Sequence, residues 1–534
     1  MRILLIHQNF PGQFRHVALA WATRPGWQVV ALGRDTCPGL PQLNASPQFK
    51  LIRYKPHRDG HKDQHPYLRK MEDAVLHGQA VARELMKLKQ QGFTPDVILA
   101  HPGWGETLYA KDVFPHARLI HLCEWYYNAQ GADVNFDPEF PATLDDQLRI
   151  RTWNALHLLN LEHCDAAISP TQWQRAQHPS IYHPKIHVAH EGVDTEGLGP
   201  NTDAAFTCKA AESATELTLK AGDPVITYVA RNLEPYRGFH QFMRALEIVQ
   251  REHPTVQTLV VGGDDVSYGK RPLQNAQRNN AQAKNWREHM LQECRFDPTR
   301  THFLGRIPYE QYKKVLQVSS AHVYLTVPFV LSWSLLEAMA SGCLVIASNT
   351  APVREVIQDG VNGLLVDFFN PQDIARQMLH SLQEPRLSNP LRQAAQAHVR
   401  QRYGLHAGVQ AYEALLRATA PVPVPLGQPA GATPLRPVHC LAQRRQSFTS
   451  IAAPHRGMAS AKPRQTSLTL SPTDWQLLQL LRTGHSNDQI AEKRKRSPAT
   501  VRNQISALYQ KLGVTSRAQA IAVANGLPHL EGGR

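Results

Sequence analysis

Two arginines six residues apart, Arg231 and Arg237, follow the apolar run PVITYVA within RNLEPYRGFHQF. Guanidinium groups at a strand end, just ahead of a helix, stand where open α/β sheets bind ligands, and two of them can clamp a diphosphate bidentately. Downstream, VPFVLSWSLLEAMASGCLVIAS runs strand, loop, helix, strand. The helix start around Ser332, Trp333, Ser334 and Leu335 offers unpaired backbone N–H groups to an anion. Glu337 lies one turn inside it, beside apolar Leu336, Met339 and Ala340. A carboxylate on an otherwise apolar helix needs a partner, which either the vicinal hydroxyls of a ligand or a structural Arg would supply.

Nearer the N-terminus, HQNFPGQFRHVA places Gly12 in a strand-to-helix turn. HPGWGE and HLCEWYYNAQGADVNFDPEFP follow later strands and concentrate His121, Glu124, Trp125, Tyr126 and Tyr127. Aromatic rings with one carboxylate suit stacking on a sugar and polar steering of it, although strand-end aromatics also serve cores. His178, His183, His187 and His190 have no tight zinc spacing, so no metal is expected.

A third set lies near the C-terminus, in SNDQIAEKRKRSPATVRNQISALYQKLGV. Ser486 with Gln489 has capping-box spacing, and Ser497 before Pro498 starts a second helix. Val501, Ile505, Leu508 and Leu512 form its buried stripe, and Gly513 ends it. Its other face shows Arg502, Asn503, Ser506 and Gln510, side chains suited to base edges in a major groove. A solvated face on a helical bundle would look similar.

The elements that must position these residues follow from the hydropathy rhythm. RILLIH, WQVVAL, PDVILA, ARLIHL, DAAISP and KIHVAH, then PVITYVA, QTLVVGG, THFLG, AHVYLTV, LVIAS and GLLVD alternate with helical stretches. Such runs are parallel strands covered on both faces, giving two doubly wound α/β domains in series. The expected spans are 1–198 and 199–417, then a disordered Pro/Ala/Arg-rich linker over 418–466 and a small all-α domain over 467–526. The chain's 534 residues leave room for all three cores.

No apolar run approaches the roughly 18 residues of a membrane span. The N-terminus has no secretory signal pattern, and seven scattered Cys without a C-x-x-C pair fit a reducing cytoplasm. The net charge of +14 is unevenly placed: residues 414–473 hold no Asp or Glu, and from 462 onward eleven Lys and Arg face four acids. That tail suits a polyanion.

Residues 1 to about 415 resemble a retaining family-4 glycosyltransferase of GT-B fold. The resemblance implies that Arg231 and Arg237, the second usually Lys, hold the donor diphosphate and act as the main catalytic groups. It implies that Glu337, in LLEAMA, holds the ribose, and that Ser332, Trp333 and Ser334 complete the donor site. Gly12 resembles the family's glycine loop, where a missing Cβ lets backbone approach the diphosphate. Glu124 falls where members place an active-site His or acid. Two departures stand out: the first Glu of the family's paired-Glu signature is Phe329 here, and EGVDTE has Glu191 in place of Asn.

The C-terminal segment resembles a LuxR-type helix-turn-helix domain through Leu470, Ser471, Leu478, Gly484, Ile490, Ala491, Ser497, Thr500, Val501, Lys511, Leu512, Gly513, Arg517 and Ala518. Arg502, Asn503, Ser506 and Lys511 are then the expected DNA contacts. Where the family has an apolar-glycine-apolar turn, this chain has Arg494, Lys495 and Arg496. The expected protein is a cytoplasmic, metal-independent glycosyltransferase without a cofactor, joined to a DNA-binding module. The alternative is a transcription regulator whose degenerate GT-B fold senses a nucleotide sugar. Expected partners are a nucleotide sugar, a glycan, lipid-linked or small-molecule acceptor, and double-stranded DNA. Peripheral membrane association and a homodimer through the helix-turn-helix domain complete these expectations.

Overall fold

The structure is a computed structural model that describes residues 1–209, 216–272, 283–417, 471–483, 485–512, 514 and 520. The expected linker, 418–466, lies outside the described residues, as do the side chains of Arg502, Asn503, Ser506 and Gln510. The chain divides into two compact units, Met1–Gly431 and Ala432–Arg534.

The first unit holds two parallel sheets. Strands β1 (Arg2–Ile6), β2 (Gln28–Arg34), β3 (Phe49–Tyr54), β4 (Val97–Ala100), β5 (Arg118–Leu122), β6 (Ala166–Ser169) and β7 (Ile186–Val188) lie in the order β3-β2-β1-β4-β5-β6-β7. A hairpin, β8 (Ala205–Lys209) and β9 (Glu216–Lys220), follows. Strands β10 (Val225–Asn232), β11 (Gln257–Gly263), β12 (Thr301–Gly305), β13 (Ala321–Tyr324), β14 (Leu344–Ser348) and β15 (Leu364–Val366) then lie in the order β12-β11-β10-β13-β14-β15. Every apolar run singled out above is a strand of one of these sheets. They are continuous in hydrophobicity because helices cover both faces; β4, β6, β13 and β14 are buried at every position.

Two elements lacked that signal. FKLIRY forms edge strand β3, in which Lys50 and Arg53 are exposed and Tyr54 alone is buried. The stretch just after the expected boundary at 198 contains β8 and β9, whose inward Phe206 and Leu219 pack with Val225 and Leu259.

The expected span 199–417 is not a single packing unit. Helix Leu405–Arg417 returns to the first sheet, where Tyr412 and Leu416 join a core with Ile3 and Trp21. Glu413 accepts from Trp21 Nε1 at 3.2 Å and pairs with Arg24. Burial of this face against the first domain decides where the helix belongs, and sequence order does not.

The second unit contains helices Pro472–Arg482, Asn487–Lys493 and Pro498–Leu512. Beyond Leu512 only Val514 and Ala520 of the expected 467–526 domain are among the described residues. Ser486 and Gln489 form the expected capping box, Ser497 Oγ accepts from Thr500 N at 3.2 Å, and Val501, Ile505, Leu508 and Leu512 are buried. Among the described residues no helix is long and apolar enough to cross a membrane.

Candidate functional site

In each sheet the strand order reverses at one strand: β1 sits between β2 and β4, and β10 between β11 and β13. Loops diverge there and leave a crevice beyond the C-terminal strand ends, the place where such sheets take ligands. The crevices share a cavity of about 950 Å³ lined by residues of both halves, among them Gly12, His101, Glu124, Arg231, Tyr268 and Phe329.

On the first-domain side, three strand ends supply a hydrogen-bonded relay. His7 follows β1, His101 follows β4 and Glu124 follows β5. Asn9 N–H donates to His7 Nδ1 at 3.0 Å, which fixes the proton on Nε2, and Nε2 donates to Gln13 Oε1 at 2.7 Å. Gln13 Nε2 then donates to Glu124 Oε1 at 3.0 Å. Gly103 N–H fixes His101 in the same way, and His101 Nε2 lies 3.4 Å from Glu124 Oε2. Burial pushes the Glu124 carboxyl up, but the bonds from His101 and Gln13 outweigh it and hold the group below its ordinary range. Burial, with His101 alongside, lowers His7 to about 3 and keeps it neutral.

Gly12 adopts φ +46°, and a Cβ there would meet the His7 ring at 2.3 Å. His7 packing alone therefore demands glycine. The far wall carries Lys70, whose Nζ stands 3.4 Å from the Trp153 ring centre. His121 is fully buried in the sheet.

On the second-domain side, Arg231 leaves the end of β10, is exposed, and makes no ion pair among the described residues. Arg237 is placed differently: its Nη1 donates to Thr326 Oγ1 at 2.9 Å and Val330 O at 3.1 Å, bracing the loop after β13. Its guanidinium lies 5.7 Å from the Tyr268 ring centre and 5.9 Å from that of Phe329. Phe329 is buried among Trp125, Tyr236 and Tyr268.

Ser332 caps helix Trp333–Ala340, accepting from Ser334 N, while its own N–H donates to Tyr324 OH at 2.9 Å. Glu337 accepts from Tyr309 OH at 3.0 Å and Tyr312 OH at 2.8 Å. Its partners are thus phenols rather than an Arg; burial raises its pKa against their opposing pull. Ser332, Trp333, Ser334, Glu337 and Arg237 lie outside the lining of the shared cavity, which brings together Gly12, Glu124 and Arg231.

Sequence reasoning passed over His7, Gln13 and His101. For His7 and His101 the signal was position, immediately beyond strands β1 and β4 at the reversal point. Glu191, noted only as a departure, is buried at 1% exposure, with its Oε2 3.7 Å from His190 Nε2. Among the expected DNA contacts, Lys511 Nζ pairs with Asp474 Oδ2 at 2.7 Å inside its own domain. Lys495 occupies the helix-ending turn at φ +49°. Arg494 is half-buried, with Nη1 on Gln504 Oε1 at 3.0 Å, and Arg496 is exposed.

Two parallel-sheet domains meeting over a cleft define a GT-B glycosyltransferase fold, and the capped helices of the second unit define a helix-turn-helix module. Residues 25–198 match the glycosyl transferase family 4 group and residues 211–398 match glycosyl transferases group 1. Residues 468–524 match the luxR family of bacterial regulatory proteins. The chain therefore belongs to the GT-B glycosyltransferases and carries a LuxR-type DNA-binding domain. It is 24% identical to the alpha-maltose-1-phosphate synthase of Mycolicibacterium smegmatis over 328 residues, 56% of this chain and 78% of that protein. Its C-terminal part is 41% identical over 63 residues to the transcriptional regulator MalT of Yersinia pestis, covering 12% of this chain and 7% of that regulator. Among solved structures, the Anabaena protein HepE in complex with UDP-glucose shares the fold at a TM-score of 0.52 and 16% identity, over 78% of this chain and 99% of that one. Sucrose-phosphate synthase of Thermosynechococcus elongatus does so at 0.54 and 18%, over 78% and 98%.

Proposed function

We propose that the first unit transfers a sugar from a nucleoside diphosphate donor to an acceptor with retention of configuration, needing no metal ion for the chemistry, and that the second unit binds duplex DNA. The observation that carries the transferase reading is Arg231, a guanidinium without an ion-pair partner among the described residues, opening on the cavity shared with Gly12 and Glu124. A free cation at the end of a reversal-point strand is suited to a phosphate, and its charge counts most when the diphosphate departs. Arg237 adds its charge from behind the loop it braces, and the N–H groups at the start of helix Trp333–Ala340 add theirs. The acceptor then lies against the first-domain wall, with Glu124, held ionised by His101 and Gln13, orienting a hydroxyl.

One observation favours the alternative of a nucleotide-sugar sensor. Phe329 stands where the resembled family has a carboxylate, and it is buried in aromatic rings. Incubation of the full chain with UDP-, GDP- and dTDP-sugars and a panel of acceptors, with detection of released nucleoside diphosphate, separates the two. Turnover that Arg231→Ala depresses more than it weakens calorimetric binding of the nucleotide sugar supports transfer. Binding without release in every combination supports the sensor. Absence of binding to any nucleotide overturns both.

A further inference from the structure

Between β5 and helix Leu144–His163 the first domain sends a loop across to the second. Phe136 and Phe140 of this loop pack on the core of the second sheet, and Asp133 accepts from Tyr236 OH at 2.9 Å. At its far end, Asp137 and Glu139 converge on His240, in the first turn of helix Phe239–Glu252.

The three side chains offer ligand atoms that all lie within 4.8 Å of one another. His240 Nε2 is 3.0 Å from Asp137 Oδ2 and 3.9 Å from Glu139 Oε1. Tetrahedral coordination at about 2.0–2.2 Å separates such ligands by about 3.4 Å, so small torsional adjustments close the set. His240 is 1% exposed and Asp137 is 6% exposed. Despite the short approach, His240 Nε2, His240 Nδ1 and Asp137 Oδ2 all lack a partner in hydrogen-bond geometry. Two deeply buried polar groups aimed at each other without a bond are costly unless something between them takes their lone pairs. Asp137 Oδ1 is meanwhile fixed by Glu139 N–H at 2.9 Å, which turns Oδ2 toward the imidazole.

We propose that Asp137, Glu139 and His240 bind a divalent transition-metal ion of the zinc class, which clasps the first-domain loop onto the second domain. Imidazole with two carboxylates suits such an ion, and one carboxylate remains able to serve Arg244 as well. Glu139 is the adjustable ligand: it is more exposed than the other two, and its Oε1 already accepts from Arg244 and from Gln241 Nε2 at 3.2 Å. The ion replaces the Gln241 contact. Its role is mechanical, separate from the sugar chemistry, because Asp137, Glu139 and His240 are not among the residues lining the cavity that holds Arg231 and Glu124.

The test uses the full chain, purified without a metal-affinity tag, stripped with EDTA and titrated with zinc chloride against a chromophoric chelator. With 27 His in the chain, the difference between variants matters rather than the total. One zinc equivalent should be lost, or weakened at least tenfold, in both Asp137→Asn and His240→Gln, and weakened less in Glu139→Gln. Zinc should raise the melting temperature of the wild type and not of Asp137→Asn, which keeps the shape of the original side chain. Equal zinc uptake and equal melting response in the wild type and both variants would leave a plain His–Asp contact and overturn the site.

Discussion

The Trp125 indole meets the Phe329 ring edge-on, with centroids 4.7 Å apart, joining a loop of the first sheet to a loop of the second. Both residues are buried and belong to one core. Edge-to-face pairs add about 0.5–1.5 kcal/mol beyond the area they bury, so the two should be energetically coupled. Trp125→Ala, Phe329→Ala and the double variant, compared by denaturant unfolding, should show a coupling of that size. Additive effects would mean that each ring serves its own domain alone.

Lys495 holds a left-handed backbone conformation that glycine adopts freely, and Arg496 N–H closes the turn on Ala491 O at 3.0 Å. Lys495→Gly should therefore stabilise the helix-turn-helix domain by about 1 kcal/mol, seen as a higher midpoint of its transition in scanning calorimetry. The same variant should bind duplex DNA with a shallower salt dependence if the Lys495 ammonium meets a phosphate. Unchanged melting would show that the turn pays nothing for its side chain.

Glu191 carries a pH prediction. Burial, with nearby Glu124 adding to it, raises its carboxyl to about 8. In the unfolded chain the group titrates at about 4.3, so between those values the native state holds a proton that the unfolded state has released. Its contribution is complete below the unfolded value and is lost as pH rises through about 8. Stability should fall with rising pH across that window, by at most about 1.4 kcal/mol per unit from this group. Glu191→Gln, neutral at every pH, should flatten the curve and be the more stable form near its upper end. Parallel curves for the two proteins would place the ionised carboxylate comfortably in the fold.

Glu337 is held by two phenols, which separates its structural role from its proposed contact with ribose. Tyr312→Phe removes one hydrogen bond and should cost about 1 kcal/mol of stability while leaving nucleotide affinity nearly unchanged. Glu337→Ala should weaken nucleoside diphosphate and nucleotide sugar alike, by about 1.5–3 kcal/mol in calorimetric titration. Equal nucleotide affinity in all three proteins would confine Glu337 to the core.

The sheets were legible because a strand covered on both faces must be largely apolar, as VILA (97–100) and LVIA (344–347) are. FKLIRY was not, since an edge strand keeps one face wet and its alternation is short. Arg231 was legible as a charge beside a strand end, and it lines the cavity. The hydrogen bonds around Glu124 were not legible: nothing local to His7 or His101 announces that Asn9 and Gly103 set their protons. Asp137 and His240 are about a hundred positions apart in the chain, and the docking of the loop on the second domain, through Phe136, Phe140 and the Asp133–Tyr236 bond, brings them together.

The chain crosses between the two domains twice, after β7 and again before helix Leu405–Arg417, and the two crossings are bonded to each other. Val193 N–H donates to Tyr403 O at 2.7 Å, and Leu405 N–H donates to Val193 O at 3.1 Å. Two covalent strands pinned side by side behave as a door hinge does, with one axis of swing and strong resistance to twist or slide. Helix Leu405–Arg417 packs on the first-sheet core through Tyr412 and Leu416, so Arg417 would keep its place if the second domain swung about that axis. The described chain of this unit therefore ends at Arg417 on the first domain, at a point that such a swing of the second domain would not displace.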